Sequence, residues 1–394
     1  MKAAATARPK AAALRVLHVG AEIFPLLKTG GLADVLGALP GALRAAGVDA
    51  RVLLPAFPAL RAALRDGRDV ATVHGPDGVA PAHLLAGHFD EPGLAGVPIY
   101  LLDQAALFGR PGNPYSDAQG VAYADNHTRF ALLGLAAARL AEGADAVWRP
   151  QVVHAHDWHA GLAPAYLAFA RRAGTSHAAS VFTVHNLAYQ GNFPAEVFAA
   201  LGLPAEAYTL HGVEFHDQVS FMKAALHYAD RVTTVSPTYA REIQGVELGC
   251  GLEGLLSERA SVLSGILNGV DDAVWNPATD AAIARVYSPG QMAGKAACKA
   301  ALQSECGLEP QTRAPLFAVV SRLTEQKGLH LVAEVVPEIL RRGGQLVLLG
   351  NGDAALEAAF AGAAQAHPRQ IAVRQGHDLS LIHISEPTRL RRIS

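Results

Sequence analysis

The sequence predicts an α/β protein of two Rossmann-like domains, each with a parallel sheet. Short apolar runs rich in Val, Ile and Leu alternate with longer stretches at helical spacing, as in parallel strands covered by helices on both faces. The alternation restarts after the Asn268-Gly269 pair. Polar residues follow the ends of the apolar runs, which is where open parallel sheets bind ligands. We therefore expect two such domains facing a cleft, the second of them incomplete.

The elements follow from the apolar runs and from the spacing between them. Residues 1–14 are Ala-rich and are expected to be disordered. The first domain is predicted at 15–266, with strands at 15–19, 48–54, 97–102, 152–155, 181–184 and 232–235, and helices at 122–141, 159–172 and 220–229. The second is predicted at 267–378, with strands at 315–320, 345–349 and 371–374, and helices at 329–341 and 354–366.

Composition excludes several classes of partner. The 394 residues carry a formal net charge of −2, and only 17% of them are charged, so no broad basic field is available for nucleic acid or for an anionic membrane surface. We find no stretch of the roughly 18 apolar residues that span a bilayer. The three cysteines form no C-x-x-C pair, which suits a reducing compartment. The sequence therefore predicts a cytoplasmic protein.

Lys28, Thr29, Gly30 and Gly31 follow the first predicted strand and open a helix. A helix N-terminus presents unpaired amides, its dipole favours negative charge, and glycine allows a phosphate to approach the backbone closely. The order of residues is neither that of a P-loop nor that of a dinucleotide fingerprint. The segment predicts an anion site, and a glycine turn with a solvated lysine remains the alternative.

A second loop of the same kind follows the strand predicted at 315–320, which we expect to be buried. It contains Arg322, Lys327 and Gly328 and leads into another helix. Arg offers a planar fork for phosphate oxygens, and Lys offers a compact charge. Two phosphate-directed loops, one in each domain, predict a nucleotide and a second substrate in the cleft.

Three histidines and Asp157 cluster in the segment H-A-H-D-W-H at 154–159. The spacing differs from the H-x-H-x-D-H of binuclear zinc hydrolases, so no metal site is predicted. We expect His154 to be structural. Asp157, at the strand end, is either functional or the N-cap of the following helix.

The next strand is followed by His185 and Asn186, with Tyr189 and Gln190 close behind. Such side chains suit sugar hydroxyls, although a lone histidine here is more often a loop or core residue. The sequence has no Asp-x-Asp motif to chelate a nucleotide's metal, so Arg and Lys are expected to supply the positive charge and no cofactor is predicted. Asn268 belongs either to a simple β-turn or to a hinge that faces the ligand.

Taken together, these segments resemble one family. They are K-T-G-G-L at 28–32, R-P-G-N-P-Y at 110–115, H-A-H-D-W-H at 154–159, T-V-H-N-L-A-Y-Q-G at 183–191, V-S-P-T-Y-A-R-E-I at 235–243, N-G-V-D at 268–271 and S-R-L-T-E-Q-K-G at 321–328. The combination resembles bacterial glycogen synthases, which use ADP-glucose and are related to plant starch synthases. The likeness runs from about residue 15 to residue 376.

The resemblance implies a GT-B glycosyltransferase that moves glucose from ADP-glucose to the non-reducing end of an α-1,4-glucan, with the anomeric configuration retained. No metal or cofactor is implied. The residues implied as catalytic are Asp157, His185, Arg322 and Lys327. Those implied in binding ADP-glucose are Lys28, Gly30, Gly31, Asn186, Asn268, Arg322 and Lys327.

The chain departs from the family near its end. Residues 379–394 resemble nothing in the family, and the family's Glu-Pro-Cys-Gly loop and final helix are missing from the sequence. A catalytically inactive remnant that binds glucan or nucleotide is therefore the second interpretation. A Rossmann oxidoreductase is disfavoured by the missing G-x-G-x-x-G.

Overall fold

A computed structural model describes residues 12–376 apart from Asp77, Pro92 and Ala273. The chain divides into two compact units, Met1–Val270 and Asp271–Ser394. The boundary follows Val270, whereas the sequence places it after residue 266. Residues 1–11 of the segment 1–14 that is expected to be disordered, and residues 379–394, which resemble nothing in the family, lie outside the described residues.

The first unit is built on a nine-stranded sheet with the order β12-β11-β7-β6-β1-β2-β5-β4-β3. A separate small antiparallel sheet has the order β8-β10-β9. The strands are β1 Arg15–Val19, β2 Asp49–Pro55, β3 Arg65–Val73, β4 Ala82–His88, β5 Ile99–Asp103, β6 Val152–His156, β7 Ala179–Val184, β8 Asn192–Pro194, β9 Glu214–Phe215, β10 Gln218–Ser220, β11 Arg231–Thr234 and β12 Leu263–Gly265.

The centre of the large sheet is parallel, as predicted. β1 pairs in parallel with β2 and β6, and β7 pairs in parallel with β6 and β11. The carboxyl ends of these strands therefore lie at one edge of the sheet. This edge carries the polar residues that the sequence singles out.

One margin of the sheet differs from the all-parallel prediction. β4 runs antiparallel to both β3 and β5, and neither β3 nor β4 is predicted from the sequence. β3 is largely exposed and begins Arg-Asp-Gly-Arg-Asp, so it has no apolar run to reveal it. Charged residues are typical of an edge strand, where they discourage pairing with other chains.

Eight α-helices of the first unit are described: α1 Gly31–Ala45, α2 Pro58–Ala63, α3 Ala105–Phe108, α4 Asn126–Glu142, α5 Ala163–Arg172, α6 Phe221–Tyr228, α7 Pro237–Glu242 and α8 Glu253–Glu258. α4 packs against α5, β1 and β2, and most of its residues are buried. No helix in the described part of the chain is long and apolar enough to cross a membrane.

Two helices begin later than predicted. α4 begins only at Asn126, because the residues before it bond to the preceding loop: Ala122 forms an antiparallel bridge with Ser116, and the amide of Tyr123 donates to the carbonyl of Tyr115 at 3.2 Å. The predicted helix at 159–172 is a 3₁₀ turn followed by α5. Pro164 lies in the first turn of α5, where its missing N–H does no harm.

The second unit has a three-stranded parallel sheet with the order β13-β14-β15. Its elements are α9 Ala293–Glu305, β13 Leu316–Val320, α10 Leu329–Arg341, β14 Gln345–Leu349, α11 Ala354–Ala366 and β15 Ile371–Arg374. The prediction that β13 is buried is wrong, since Phe317 is 47% exposed. β13 pairs only with β14 among the described strands, so less of the unit packs against it. The sequence also missed α9.

Candidate active site

The polar residues of the first unit gather where β1, β6 and β7 end. The loop after β1 carries Lys28, Asp157 follows β6, and His185 follows β7. Because these strands are parallel neighbours, residues far apart in sequence meet at one edge. The structure thus brings together Lys28, Asp157 and His185, while Asn268 lies in the irregular segment after β12, the outermost strand of the same sheet.

The Lys28 loop is held by Glu22, a residue that the sequence reasoning missed. The Glu22 carboxylate accepts hydrogen bonds from the amides of Thr29, at 2.6 Å, and Gly30, at 3.0 Å. The hydroxyls of Thr29 and Tyr115 donate to the same carboxylate. Glu22 is only 3% exposed, so these bonds compensate for the burial of its charge.

This arrangement corrects part of the anion-site prediction. The amide of Gly30 already donates to Glu22 and is not free to bind a phosphate. The space in front of the glycines is open, since among the described residues no atom lies within 4 Å of a Cβ built at Gly30 or Gly31. The Lys28 ammonium is half-buried and contacts Asp34 of α1 at 2.8 Å. A cation and the start of α1 therefore border an open surface.

Asp157 has a strained backbone, with φ at 55° and ψ at 178°. Positive φ is uncommon outside glycine, and strain of this kind concentrates at functional sites. One oxygen of its buried carboxyl accepts the amides of His185, at 2.8 Å, and Asn186, at 3.4 Å. The side chain therefore joins the β6 and β7 loops and does not cap the 3₁₀ turn that follows it, so the N-cap interpretation is wrong.

Burial controls the charge of Asp157. It raises the pKa of the carboxyl from 3.8 to about 7, and the negative charge of nearby Glu22 adds to the rise, while the two backbone amides oppose it. A carboxyl with a pKa near 7 changes its charge within the physiological range. The dependence on Glu22 also shows that the Lys28 loop and Asp157 share one electrostatic environment.

His185 is neutral at physiological pH. Burial lowers its pKa to about 4, because the charged imidazolium loses its hydration. Its Nε2 atom lies 3.0 Å from Nδ1 of His156. Asn186 is fixed by its own loop, with its Oδ1 accepting the amide of Ala188 at 3.1 Å. Both side chains are therefore held in place before any substrate binds.

The histidines of β6 meet His18 of β1, which the sequence reasoning missed. Ring nitrogens of His18, His154 and His156 all lie within 4.8 Å of one another, a spacing that suits a metal ion. However, His156 contacts His18 through Nε2 and His185 through Nδ1. The rings of His154 and His156 are also stacked 4.1 Å apart, so their lone pairs do not converge on one point. We interpret His18, His156 and His185 as a hydrogen-bonded column on which His154 stacks.

His154 takes the structural role expected of it. Its Nε2 atom lies 2.7 Å from the hydroxyl of Thr183 on β7, which in turn lies 2.6 Å from the hydroxyl of Thr233 on β11. Asn268 is exposed and belongs to neither a helix, a strand nor a turn of the described chain. The β-turn interpretation of Asn268-Gly269 is therefore wrong.

Arg322 and Lys327 lie in the second unit, in the loop between β13 and α10. Both are exposed. The loop is fixed by the amide of Leu323, which donates to the carbonyl of Asn351 at 2.9 Å. Lys327 ends a 3₁₀ turn, and Gly328 follows at a φ of 72°, which glycine adopts without strain. Two cations are thus presented beside the start of α10.

Tyr115 is a further residue that the sequence reasoning missed. Its hydroxyl donates to Glu22, and its ring stacks on the buried His159 ring, with the centroids 4.5 Å apart and an angle of 16° between the planes. The segment R-P-G-N-P-Y was noticed only as part of the family pattern. The sequence around Tyr115 does not indicate its contact with Glu22, because the two residues are 93 positions apart.

The buried histidines predict a loss of stability in acid. Burial lowers the pKa of His18 to about 4 and that of His159 to about 3. As the pH falls below 6.5, the unfolded chain binds protons that the folded chain refuses, at about 1.4 kcal/mol per proton and pH unit. Asp157 acts in the opposite direction, because its contribution to the free energy of unfolding falls as the pH rises from about 4 to about 7. The buried histidines outnumber it, so we expect a net loss of stability in acid.

We expect the urea midpoint to fall steadily from pH 6.5 to pH 4.5, and tryptophan fluorescence measures it. The variant His159→Phe keeps a ring against Tyr115 and should make this dependence less steep, because one of the buried histidines is removed. The exposed His177→Gln is the matched control and should leave it unchanged. A wild-type midpoint that is flat across this range would contradict the prediction.

Known proteins resemble this chain in sequence and in fold. The family profile described as "Starch synthase catalytic domain" matches residues 15–258. The glycogen synthase of Variovorax paradoxus (strain S110) is 59% identical over 374 residues, which are 94% of this chain and 76% of the relative. The glycogen synthase of Leptothrix cholodnii is 56% identical over the same shares of the two chains.

A solved structure is also similar. The catalytic domain of starch synthase IV from Arabidopsis thaliana, bound to ADP and acarbose, superposes with a TM-score of 0.84 and 30% identity, over 94% of this chain and 76% of that one. The fold that the chain shares with this structure is that of a glycosyltransferase of the GT-B class. Within that class, the chain belongs to the family of glycogen synthases and starch synthases. Its function is that of a glycogen synthase, a hexosyltransferase.

Proposed function

We propose that this protein transfers glucose from ADP-glucose to the 4-hydroxyl at the non-reducing end of an α-1,4-glucan, with retention of configuration. The observation that carries the proposal is Asp157, a strained and buried carboxyl that ties the His185 and Asn186 amides to the carboxyl edge of the sheet. Support also comes from the starch synthase IV structure, whose title names ADP and acarbose.

Asp157, His185 and Asn186 act on the sugar. The carboxylate form of Asp157 favours positive charge, which develops at the anomeric carbon as the glycosidic bond breaks. Neutral His185 and the fixed amide of Asn186 offer hydrogen bonds to sugar hydroxyls. Retention is proposed to follow from attack by the acceptor on the leaving-group face, so no residue is assigned as a covalent nucleophile.

The cationic residues act on the leaving group. ADP gains negative charge as the bond to glucose breaks, so cations placed at its phosphates stabilise the transition state more than the ground state. We assign this role to Arg322 and Lys327, and to Lys28 with the start of α1. Gly30 and Gly31 keep the approach to α1 open, and Asn268 is assigned to the donor nucleotide.

We infer that the reaction takes place in the cytoplasm. Cys250, Cys298 and Cys306 are all free thiols in the structure, as in proteins of a reducing compartment. Because basic side chains supply the positive charge at the phosphates, no divalent cation is assigned to the reaction.

The direct test is transfer of labelled glucose from ADP-glucose to glycogen. Because the comparison covers 76% of the Variovorax paradoxus relative, the chain is assayed alone and joined to the C-terminal part of that relative. We expect transfer by the fusion, with the α-anomer in the product and with equal rates in the presence of a chelator. Loss of transfer on chelation would contradict the metal-free assignment, and hydrolysis without transfer would contradict the proposed reaction.

Lys28→Ala should weaken the use of ADP-glucose far more than the binding of glycogen. Losing a hydrogen bond to a charged group costs about 1.5–3 kcal/mol, or about 10- to 100-fold in affinity. The Michaelis constant for ADP-glucose and the retention of the protein on glycogen measure the two effects. Arg231→Ala is the control, because it also removes a positive charge but lies at the amino end of β11, away from the carboxyl edge of the sheet. Equal losses of donor use and glycogen binding in Lys28→Ala would contradict its donor-side role.

A further inference from the structure

Three imidazoles form a hydrogen-bonded chain that leads from the sheet core to the candidate active site. Nδ1 of His18 lies 3.2 Å from Nε2 of His156, and Nδ1 of His156 lies 3.0 Å from Nε2 of His185. His18 and His156 are fully buried and lie on the paired strands β1 and β6. This chain of imidazoles therefore joins residues of two central strands to a loop residue at the sheet edge.

The number of protons in this chain restricts its arrangement. Burial lowers the pKa of all three histidines, to about 4 for His18 and for His185, so each ring is neutral at pH 7 and carries one N–H. Each of the two contacts needs one proton between its nitrogens. Going from His18 to His156 to His185, each contact joins Nδ1 of one ring to Nε2 of the next. Either all three protons therefore lie on Nδ1, or all three lie on Nε2.

The inner end of the chain decides between the two arrangements. Nε2 of His18 is buried and has no hydrogen-bond partner among the described residues. With protons on Nε2, this atom would be a buried N–H without an acceptor, which costs about 1–3 kcal/mol and is the rarest kind of unsatisfied group. With protons on Nδ1, the same position holds only a lone pair. The arrangement with all three protons on Nδ1 is therefore the more stable one.

We propose that His156, supported by His18, is a positioning residue that holds His185 as the tautomer protonated on Nδ1. In this state Nε2 of His185 accepts the proton of His156, and Nδ1 is left to donate to an acceptor outside the chain. In the proposed reaction that acceptor is a hydroxyl oxygen of the transferred glucose. Nothing is protonated or deprotonated, because His185 acts only as a hydrogen-bond donor of fixed direction.

The tautomer itself is independent of the proposed function, and only its kinetic consequence rests on that function. We therefore separate the two readouts. Nitrogen-15 NMR of the histidine-labelled 394-residue chain, without substrate at pH 7, reports which ring nitrogen of His185 carries the proton. We expect a protonated Nδ1 and an unprotonated Nε2. The reverse pattern would overturn the inference.

Two substitutions of His156 form a matched pair. In His156→Asn the side-chain amide nitrogen takes about the place of Nδ1, so it continues to donate to His185. In His156→Gln the amide reaches the place of Nε2, towards His18, and the bond to His185 is lost. We expect the asparagine variant to keep the tautomer and the turnover of the fusion, and the glutamine variant to mix both tautomers of His185.

The kinetic readout follows the same pair. In His156→Gln, kcat should fall by about 10- to 100-fold, by analogy with the loss seen when the hydrogen-bond partner of a metal-ligating histidine is removed, while the Michaelis constant for glycogen stays unchanged. His154→Gln is the control, since His154 stacks on His156 but bonds to Thr183, and it should behave as wild type. Equal losses in the asparagine and glutamine variants would overturn the positioning role.

Failure of the inference and failure of the proposed function look different. If His185→Ala transfers glucose at the wild-type rate, the proposed role of His185 in the reaction is wrong, although the tautomer still stands or falls by NMR. If His185 is protonated on Nε2 while the fusion transfers glucose normally, the inference alone is wrong. If His156→Gln does not fold, the spectrum of the wild-type chain decides.

Discussion

Arg322→Ala and Lys327→Ala should each lower glucosyl transfer by about 10²–10³, the usual cost of removing one preorganised donor to a developing negative charge. Both side chains lie in one exposed loop, beside the start of α10. The loop backbone is tied to the carbonyl of Asn351 through the amide of Leu323, and this bond remains when either side chain is truncated. We expect the loss in kcat, because the charge on ADP appears only as the bond to glucose breaks.

The double variant provides the sharper test. Two groups that act on one diphosphate are coupled, so the double variant should lose much less than the product of the two single losses. Arg342→Ala is the matched control, because Arg342 is an exposed cation of the same unit that pairs with Glu338. Losses that multiply independently, or a comparable loss in the control, would show that the two residues do not share the leaving group.

Asp157→Asn should nearly abolish transfer while making the fold more stable at high pH. The amide keeps the oxygen that accepts the backbone N–H groups of His185 and Asn186, so the loops stay joined. It loses the negative charge that favours the oxocarbenium-like transition state, at an expected cost of about 10²–10³ in kcat. Asp157→Ala also removes the acceptor and should be both inactive and less stable.

The pH dependence of this variant follows from the raised pKa. With a pKa of about 7, the carboxyl becomes ionised as the pH rises through 7, so wild-type kcat/KM should increase over that interval. Ionising a buried group costs stability, so the contribution of Asp157 is present below about pH 4 and is lost as the pH rises to about 7. The asparagine variant escapes this cost and should unfold at higher urea than wild type at pH 8.

Urea midpoints at pH 6 and pH 8, together with the kcat/KM profile, check both parts. An asparagine variant that is less stable than wild type at pH 8 would indicate a structural role for the charge. A kcat/KM profile of the wild type that is flat between pH 6 and pH 8 would show that the ionised carboxylate is not required for transfer.

Local patterns were sufficient wherever an element is defined by its own residues. The bounds of β1, β14, β15, α10 and α11 match those of the structure, because each is an apolar run or an amphipathic stretch that ends at polar or glycine residues. The rule that ligands bind at the carboxyl ends of parallel strands also placed Lys28, Asp157 and His185 at that edge of the sheet. β3 was missed because a charged edge strand carries little hydrophobic signal, and β4, Ala82–His88, has only a short apolar run between its two histidines and Gly87.

Sequence alone determined the α/β class, the family and the polar residues that follow the strands, since these depend on composition and on nearest neighbours in the chain. Tertiary structure decided how those residues are used. Only folding brings Glu22 to the amide of Gly30, and His18 to His156 across 138 positions. Burial, together with the nearby charge of Glu22, raises the pKa of Asp157 to about 7. Hydrogen-bond partners and desolvation depend on distances in space, and no spacing along the chain specifies these.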